Sequence, residues 1–177
     1  CNNRLFERTS IGESKENTTL DGQGSGAPIQ VIVNDVSITG FRVVHSSEDG
    51  GLILTSVGNC LITNNIAEYN SLNGIVLRSS SSQNTISNNL VRYNTYDGIA
   101  FWTGNSNNEV LDNDVVENGA YGIIIQSSNN NTVRQNNVVR NHWAGIVIDS
   151  SKYNLVVNNS FAYNTNNTYP LAGAIWI

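Results

Sequence analysis

Between Asn84 and Asp149 the hydrophobic positions follow one pattern that occurs almost three times. Apolar residues stand two apart in short pairs, and asparagine, glycine or serine separates the pairs. The copies run from Asn84-Thr-Ile86 to Gly98-Ile99-Ala-Phe101, from Asn108-Glu-Val110 to Gly122-Ile123-Ile-Ile125, and from Asn131-Thr-Val133 to Gly145-Ile146-Val-Ile148. An amphipathic helix would space its apolar residues three and four apart. The pattern therefore predicts three short strands and three turns in each repeat.

The repeat recurs with an almost constant period. Repeats start at positions 36, 60, 84, 108, 131 and 154, which gives spacings of 24, 24, 24, 23 and 23 residues. Strands this short cannot bury a face alone, so successive repeats must stack and share one core. The sequence predicts an all-β, right-handed parallel β-helix of about six to seven coils. We expect one domain, with residues 1–35 as a degenerate opening and 36–177 as regular coils.

Two rows of asparagine recur at fixed positions of the repeat. An asparagine amide can hydrogen-bond to its counterparts one coil away, and asparagine tolerates the left-handed backbone of a sharp turn. We expect the first row to form a buried ladder of Asn65, Asn89, Asn113, Asn136 and Asn159. We expect the second row to mark the next corner with Asn70, Asn94, Asn118, Asn141 and Asn164. Glycines at positions 50, 74, 98, 122 and 145 indicate a tight turn or a positive φ.

Composition excludes several classes of function. The chain of 177 residues is only 13% charged, with a formal net charge of −5. A nucleic-acid partner is not expected, because an acidic surface repels a phosphate backbone. No apolar run approaches the roughly 18 residues that a membrane span needs, so no span is expected. The 30 asparagines are placed periodically, which indicates a structural use and not low complexity.

The cysteines and the chain ends leave alternatives open. Cys1 and Cys60 occupy unlike places in the repeat, which favours two free thiols over a disulfide. An N-terminal cysteine is also compatible with lipidation of a processed lipoprotein. The last coil contains an insertion, 165–171, with Pro170 in it. Neither end shows an obvious cap, so we expect end contacts with the rest of a longer chain or with another subunit.

Several segments resemble a known family. They are Ser10-Ile11-Gly12-Glu13, Thr19-Leu20-Asp21-Gly22, Val36-Ser-Ile38-Thr-Gly40-Phe41 and the tandem Asn-Thr-Ile and Gly-Ile-x-Ile coils. Together they resemble the NosD-like proteins with carbohydrate-binding and sugar-hydrolase (CASH) repeats, in the pectin-lyase-like superfamily. The resemblance covers nearly the whole chain. It implies a parallel β-helix and a secreted, periplasmic or cell-surface location, and for the family's namesake it implies copper delivery.

The residues themselves give copper little support. Soft copper sites use clustered Cys, Met and His, whereas this chain has no Met, two Cys and two His. We therefore expect no copper cofactor and no metal centre. Calcium stays an alternative because acidic turns bind it, although no dense Asp-Gly repeat occurs.

The outward positions beside the repeated glycine (positions 50, 74, 98, 122 and 145) form a predicted binding stripe. The turn before the glycine and the end of the following strand carry the most irregular and most aromatic side chains of the repeat. The candidate ligand-binding residues are Arg78, Tyr96, Asp97, Trp102, Tyr121, His142, Trp143 and Asp149. Flat aromatic faces suit sugar rings, and the polar groups suit their hydroxyls. The alternative is that large turn side chains only shield the corner of the core. A second row with Tyr69, Tyr93, Arg92, Glu117 and Arg140 is expected to be ordinary surface.

Catalysis is a weaker expectation. A glycoside hydrolase needs two facing carboxylates, and a lyase or epimerase needs a base and a cation beside a uronate. The weak catalytic candidates are Asp97, Asp149 and His142, while Asp112 and Asp114 suggest turn chemistry. The paired-Asp and Gly-His-Gly motifs of polygalacturonases and the Asp-Pro-His-Glu motif of mannuronan epimerases do not occur in this sequence.

Three hypotheses of function follow. The first is an extracellular carbohydrate-recognising module, part of a larger polysaccharide-processing protein, with a glycan as partner. The second is a structural or adhesive cell-surface β-helix without a small ligand. The third is a fragment of a polysaccharide lyase, epimerase or hydrolase.

Overall fold

A computed structural model describes residues 8–164 and 175–177. Twenty-one short strands form three parallel sheets of seven strands, and each strand pairs with the strand three later in the chain. One strand of every sheet therefore belongs to each coil, which is the topology of a parallel β-helix. The predicted fold class and the division of each repeat into three strands are confirmed.

The strands are numbered β1–β21 in chain order. Sheet A contains β1 (Arg8–Ile11), β4 (Val36–Thr39), β7 (Leu61–Thr63), β10 (Thr85–Ser87), β13 (Glu109–Leu111), β16 (Thr132–Arg134) and β19 (Leu155–Val157). Sheet B contains β2 (Thr19–Asp21), β5 (Arg42–Val44), β8 (Ile66–Glu68), β11 (Leu90–Arg92), β14 (Asp114–Val116), β17 (Asn137–Val139) and β20 (Ser160–Ala162). Sheet C contains β3 (Ile29–Val31), β6 (Gly50–Thr55), β9 (Asn73–Arg78), β12 (Ile99–Trp102), β15 (Ile123–Gln126), β18 (Ile146–Asp149) and β21 (Ile175–Trp176).

The core lies between the three sheets and consists of stacked aliphatic side chains. Ile62, Ile86 and Val110 stack from sheet A, and each is fully buried. Phe101 is among the largest fully buried side chains and pairs in register with Leu77 and Ile125 in sheet C. Because neighbouring strands lie about 4.8 Å apart, residues one period apart in the sequence become vertical neighbours.

Both predicted asparagine ladders are present. Asn65 Nδ2 donates to Asn89 Oδ1 at 3.2 Å, and Asn89 Nδ2 donates to Asn113 Oδ1 at 3.0 Å. The ladder continues through Asn136 to Asn159, which is half-buried in the last described coil. The second ladder has the same bonds along Asn70, Asn94, Asn118, Asn141 and Asn164.

Two further rows line the corner between sheets C and A. One is an asparagine ladder of Asn84, Asn108, Asn131 and Asn154. The other combines three hydroxyl side chains with one amide, in the order Ser81, Asn105, Ser128 and Ser151. Cys60 occupies the first position of the asparagine row, where its backbone N–H donates to Asn84 Oδ1 at 2.9 Å. Its thiol is free and buried, and burial raises the pKa of that thiol. Cys1 and the insertion 165–171 lie outside the described residues.

Two expectations about the turns are wrong in detail. The left-handed conformation belongs to the residue before each ladder asparagine, for example Asn88 at φ 54° and Tyr93 at φ 54°, and not to the ladder asparagine itself. The ladder asparagine instead fills the corner with its amide. Gly74, Gly98 and Gly122 have no positive φ.

Close approach of atoms from the neighbouring coil explains why these positions are glycine. A Cβ on Gly98 would lie 2.4 Å from Val115 Cγ1 and 2.6 Å from the Gly122 carbonyl oxygen, so no side chain fits there. In the second coil the equivalent glycine is Gly51 and not Gly50, because Gly50 pairs with Asn73. The turn of that coil is therefore one residue longer than those below it.

The shortening of the period from 24 to 23 residues occurs in the turn after sheet C. In the coils that start at 60 and 84 two consecutive residues are left-handed there, Ser79 and Ser80 in one coil and Thr103 and Gly104 in the next. In the 24-residue coil that starts at 36 only Ser56 is left-handed there, because its extra residue lies in the turn before sheet C. In the shorter coils only Ser127 or only Ser150 is left-handed. The strands and ladders keep their register across this change.

Candidate functional site

The outer face of sheet C carries the predicted stripe. Its middle row is apolar, and Ile53, Val76 and Ala100 are fully buried there although they point away from the core. Trp102 and Ile124 pack against this small cluster. Side chains from the turn before the sheet and from its last positions therefore cover the face. Trp102 is half-buried, so part of its surface shields the cluster, as the shielding alternative expects.

The last positions of the strands of sheet C align as one row. Arg78 pairs in register with Trp102, Trp102 with Gln126, and Gln126 with Asp149. The predicted alignment of these four positions is present. Gln126 Nε2 donates to Asp149 Oδ2 at 2.9 Å, and Ser150 Oγ donates to Asp149 Oδ1 at 3.0 Å. These two donors lower the pKa of the exposed Asp149 carboxyl, which is therefore ionised at neutral pH.

Two exposed aromatic side chains stand in the turn before sheet C. Tyr96 is 52% exposed and Trp143 is 37% exposed. They lie two coils apart in one row, with the buried Ala120 between them, as the Ala120 N–H to Tyr96 oxygen and Trp143 N–H to Ala120 oxygen bonds show. Two coil spacings place these rings about 10 Å apart along the axis. His142 is exposed beside Trp143, and its backbone N–H donates to the Asn118 oxygen.

Asp97 is a buried carboxyl in this turn, with a residue exposure of 8%. Burial raises its pKa from 3.8 to about 6, because desolvation disfavours the charged form. The Tyr121 backbone N–H donates to Asp97 Oδ1 at 3.0 Å and offsets part of that increase. The Asp97 N–H itself donates to Asn73 Oδ1, so the residue continues a row that Asn73 begins. Its carboxyl is therefore both a structural acceptor and a group that titrates near neutral pH.

Tyr121 and Trp143 form an aromatic corner. Their ring centroids lie 5.1 Å apart and their planes are inclined by 75°, which is an edge-to-face contact. Burial is the largest cause that raises the pKa of the Tyr121 phenol, and the negative charges of Asp97 and then Asp149 raise it further. Both carboxylates therefore act on one hydroxyl. The structure brings together Asp97, Tyr121, Trp143 and Asp149. Tyr96 and Trp102 lie on the same coil as Asp97, and Arg78 lies on the coil before it.

Asp49 is a member of this surface that the sequence analysis did not single out. It lies in the turn of the second coil, and its carboxylate forms an ion pair with Arg78 of the third coil. A side chain from one turn thus reaches across sheet C to the next coil. The sequence signal was present, because Asp49 stands in the turn that precedes a stripe strand. The extra residue in that turn hid its register.

The second aromatic row lies at the corner between sheets B and C. Tyr69 and Tyr93 stack with centroids 5.3 Å apart, and the Arg92 guanidinium lies 5.1 Å from the Tyr93 centroid. The fully buried Glu68 carboxylate forms ion pairs with both Arg42 and Arg92. The two rings therefore stack on each other while they remain exposed, and the buried Glu68 carboxylate is paired with two arginines.

The fold and the stripe define a class of protein: a parallel β-helix with an aromatic and acidic outer face on one sheet. The periplasmic alginate epimerase AlgG superposes with a TM-score of 0.67 at 20% identity, over 75% of this chain and 42% of that chain. The AlgE4 A-module, a mannuronan C-5 epimerase from Azotobacter vinelandii, superposes with a TM-score of 0.59 at 15% identity, over 96% of this chain and 55% of that chain. The AlgE6 A-module from the same organism gives a TM-score of 0.58 at 14% identity, over 95% and 53% of the two chains. At these identities the likeness is one of fold.

Residues 7–176 match the family described as "Periplasmic copper-binding protein (NosD)", and the chain belongs to that family. The expected resemblance is confirmed. No curated protein sequence matches the chain. The chain spans about half or less of the length of the solved structures that it resembles. The described residues contain no helix long and apolar enough to cross a membrane.

The family description names copper, but the donor residues do not fit a copper site. The whole chain has no Met, two Cys and two His. His45 and His142 lie four coils apart, roughly 19 Å by coil spacing, and His45 Nδ1 is hydrogen-bonded to Asp21 at 3.0 Å. Within residues 8–164 and 175–177, His, Cys, Asp and Glu form no group of three or more that could hold a metal ion.

Proposed function

We propose that this chain is a carbohydrate-recognising β-helix module, part of a polysaccharide-processing protein that works outside the cytoplasm. The observation that carries the proposal is the row of Tyr96 and Trp143, which presents two exposed aromatic rings about 10 Å apart along the axis. Sugar rings stack on such faces, and the nearby carboxylates and amides can accept and donate hydrogen bonds to hydroxyls.

Support comes also from the irregularity of this surface. The corners of the helix repeat one side chain in coil after coil, whereas the stripe carries a different residue in each coil. Large aromatic groups in exposed turns are not required by the ladder or by the core. The structural neighbours AlgG and AlgE4 are named as epimerases of polysaccharides, and the family description places its members in the periplasm.

A panel of oligosaccharides of neutral, acidic and basic sugars tests the proposal, with binding measured by isothermal titration calorimetry. We expect at least one class to bind, and we expect Trp143→Ala or Tyr96→Ala to weaken that binding about tenfold, since aromatic stacking contributes on the order of 1 kcal/mol. These two residues are better choices than Trp102, because Trp102 also packs on the apolar cluster.

Tyr153→Ala is the matched control, because Tyr153 is 82% exposed and lies in the turn after sheet C, whereas Tyr96 and Trp143 lie in the turn before it. The control should bind as the unchanged protein does. If no oligosaccharide binds, or if the stripe variants bind as well as the control, a structural or adhesive role for the helix replaces the proposal.

A second candidate function is hydrolysis of a glycosidic bond. The observation that favours it is the divergence of two carboxyl groups, since the pKa of Asp97 is raised to about 6 and that of Asp149 is lowered. A protonated acid and an ionised base on one surface are the pair that glycosidases use. Asp97 would act as the acid, and Asp149 as the base that activates water.

Release of reducing ends from whichever polymer binds tests this second candidate. Asp97→Asn and Asp149→Asn should each abolish the release while leaving a folded protein. An increase in ultraviolet absorbance without hydrolysis would instead identify a lyase, and no product of either kind would restrict the module to recognition.

A further inference from the structure

The charges of the stripe restrict which glycan can bind. Every arginine from Arg42 to Arg140 is paired with a carboxylate: Arg42 and Arg92 with Glu68, Arg78 with Asp49, Arg134 with Glu109, and Arg140 with Glu117. The one arginine of the stripe, Arg78, is therefore already neutralised. Asp149 is exposed and ionised, and its partners in the structure are the neutral Gln126 and Ser150.

The aromatic corner adds a second, independent feature. Tyr121 and Trp143 meet edge to face at 75°, so the two ring planes are steeply inclined to one another. Aromatic faces attract cations through the ring quadrupole, and aromatic cages recognise quaternary ammonium ligands. The carboxylates of Asp97 and Asp149 act electrostatically on the Tyr121 hydroxyl, which places negative charge at the same corner.

Two basic side chains, Lys152 and His142, lie close to this corner in the sequence. Lys152 lies three residues beyond Asp149 in the turn that leads to sheet A, and among the described contacts it forms no ion pair with that aspartate. His142 precedes Trp143 and is exposed to solvent. The carboxylate of an acidic sugar would be repelled by Asp149, and no unpaired arginine lies in the stripe to bind it. The ammonium group of an amino sugar would instead be attracted by the Asp149 carboxylate and by the two aromatic rings.

We propose that the corner of Tyr121, Trp143 and Asp149 binds the ammonium group of an amino sugar, so that the module prefers a cationic polysaccharide to a neutral or carboxylated one. This inference rests on the proposed function of glycan recognition and names its ligand class. It separates this chain from the alginate epimerases that share its fold, because alginate carries carboxylates and not amines.

Three oligosaccharides of equal length test the inference: an oligomer of glucosamine, an oligomer of N-acetylglucosamine and an oligomer of a uronate. Binding is measured by calorimetry at about pH 6, where an amine with an ordinary pKa is protonated. We expect the glucosamine oligomer to bind about tenfold more tightly than the N-acetylated one, and the uronate to bind most weakly. Raising the salt from about 0.02 to 0.2 M should weaken the glucosamine complex selectively, since exposed charges are screened.

Asp149→Asn provides the residue-level test. It should reduce the preference for glucosamine over its N-acetylated form from about tenfold toward one, while Asp114→Asn makes the same charge change on sheet B and should leave the preference intact. Trp143→Leu keeps an apolar side chain but removes the ring, and it should also reduce the preference. Circular dichroism shows whether each variant is folded.

Each outcome decides between the two proposals. Binding of the N-acetylated or uronate oligomer at least as tightly as glucosamine overturns the amine inference and leaves glycan recognition standing. A preference for glucosamine that Asp149→Asn does not change also overturns the inference, because the amine then binds elsewhere. If none of the three oligomers binds, and no other sugar in the wider panel does, both proposals fall.

Discussion

Each coil contains both a corner between sheets A and B and a turn before sheet C. The corner keeps the same residue from coil to coil, whereas the turn changes its residues. At the corner, asparagine recurs in five consecutive coils and each amide bonds to the next. In the turn, the residues aligned with Asp97 are Asn73 and Tyr121, and those aligned with Tyr96 are Leu72 and Ala120. Repetition marks positions whose side chains bond to the backbone in every coil. In the varied turn only some side chains do so, such as those of Asn73 and Asp97.

The difference has a physical cause. A ladder asparagine satisfies buried backbone carbonyl and N–H groups that no water can reach, so any other side chain leaves several of them unpaired. The turn before sheet C satisfies its backbone mainly through bonds between coils, such as Tyr96 N–H to the Leu72 oxygen. Apart from Asn73 and Asp97, whose side chains accept backbone N–H bonds, side chains such as those of Tyr96 and Trp143 are therefore free to serve another purpose.

Asn113→Ala should produce the largest effect of the substitutions considered. The Asn113 amide donates to Ile86 O, Leu111 O and Asn136 Oδ1 at 2.9 to 3.0 Å, and its Oδ1 accepts from Asn89. Loss of these bonds leaves several buried groups unpaired, and we expect destabilisation of about 3–5 kcal/mol. Thermal and denaturant unfolding measure it. Asn137→Ala, an exposed asparagine on sheet B, is the control, and equal effects of the two changes would contradict the ladder's role.

Asp97→Asn should have an intermediate effect that depends on pH. The folded pKa of about 6 lies above the ordinary 3.8, so the stability that comes from the neutral carboxyl is complete below about pH 4 and is lost as pH rises through 6. The neutral amide removes this loss and can continue the row that Asn73 begins. We expect stabilisation of up to about 3 kcal/mol at pH 7.5 and little change at pH 4.

Unfolding midpoints of Asp97→Asn at the two pH values check this prediction, with the exposed Asp114→Asn as the control for a change of net charge. A variant that is less stable than the unchanged protein at both pH values would show that the carboxyl makes a contact that an amide cannot replace.

His142→Ala should have the smallest effect. The side chain is exposed, and its backbone N–H bond to the Asn118 oxygen survives the substitution. We expect a change within about 0.5 kcal/mol. Its sequence neighbour Asn141 is a buried ladder residue, so Asn141→Ala should approach the effect of Asn113→Ala. If His142→Ala and Asn141→Ala had comparable unfolding midpoints, the proposed difference in stabilising role between corner and turn residues would be contradicted.

The sequence predicted the parts of the molecule that depend on stacking alone. The period placed both asparagine ladders and the row from Arg78 to Asp149 in register, because each requires only that one coil lie over the next. The burial of Asp97 was not predictable, since it depends on how the turn side chains cover the carboxyl. The Asp49–Arg78 ion pair was hidden by the extra residue near Gly50.

The expectation that the repeated glycines have a positive φ was wrong for a related reason. A repeated glycine indicates either a backbone that only glycine adopts or a space that only glycine fits, and the sequence does not distinguish these causes. The 2.4 Å approach of Val115 Cγ1 to a Cβ on Gly98 identifies the second cause.

The turn after sheet C takes up the difference between coils of 24 and 23 residues by using two left-handed residues or one. Coils of unequal length thus remain interchangeable, and a tandem duplication of 23 or 24 codons would lengthen the protein by one step of about 4.8 Å. Recombination within the gene can therefore extend or shorten the molecule by whole coils while the turn after sheet C keeps its backbone conformation.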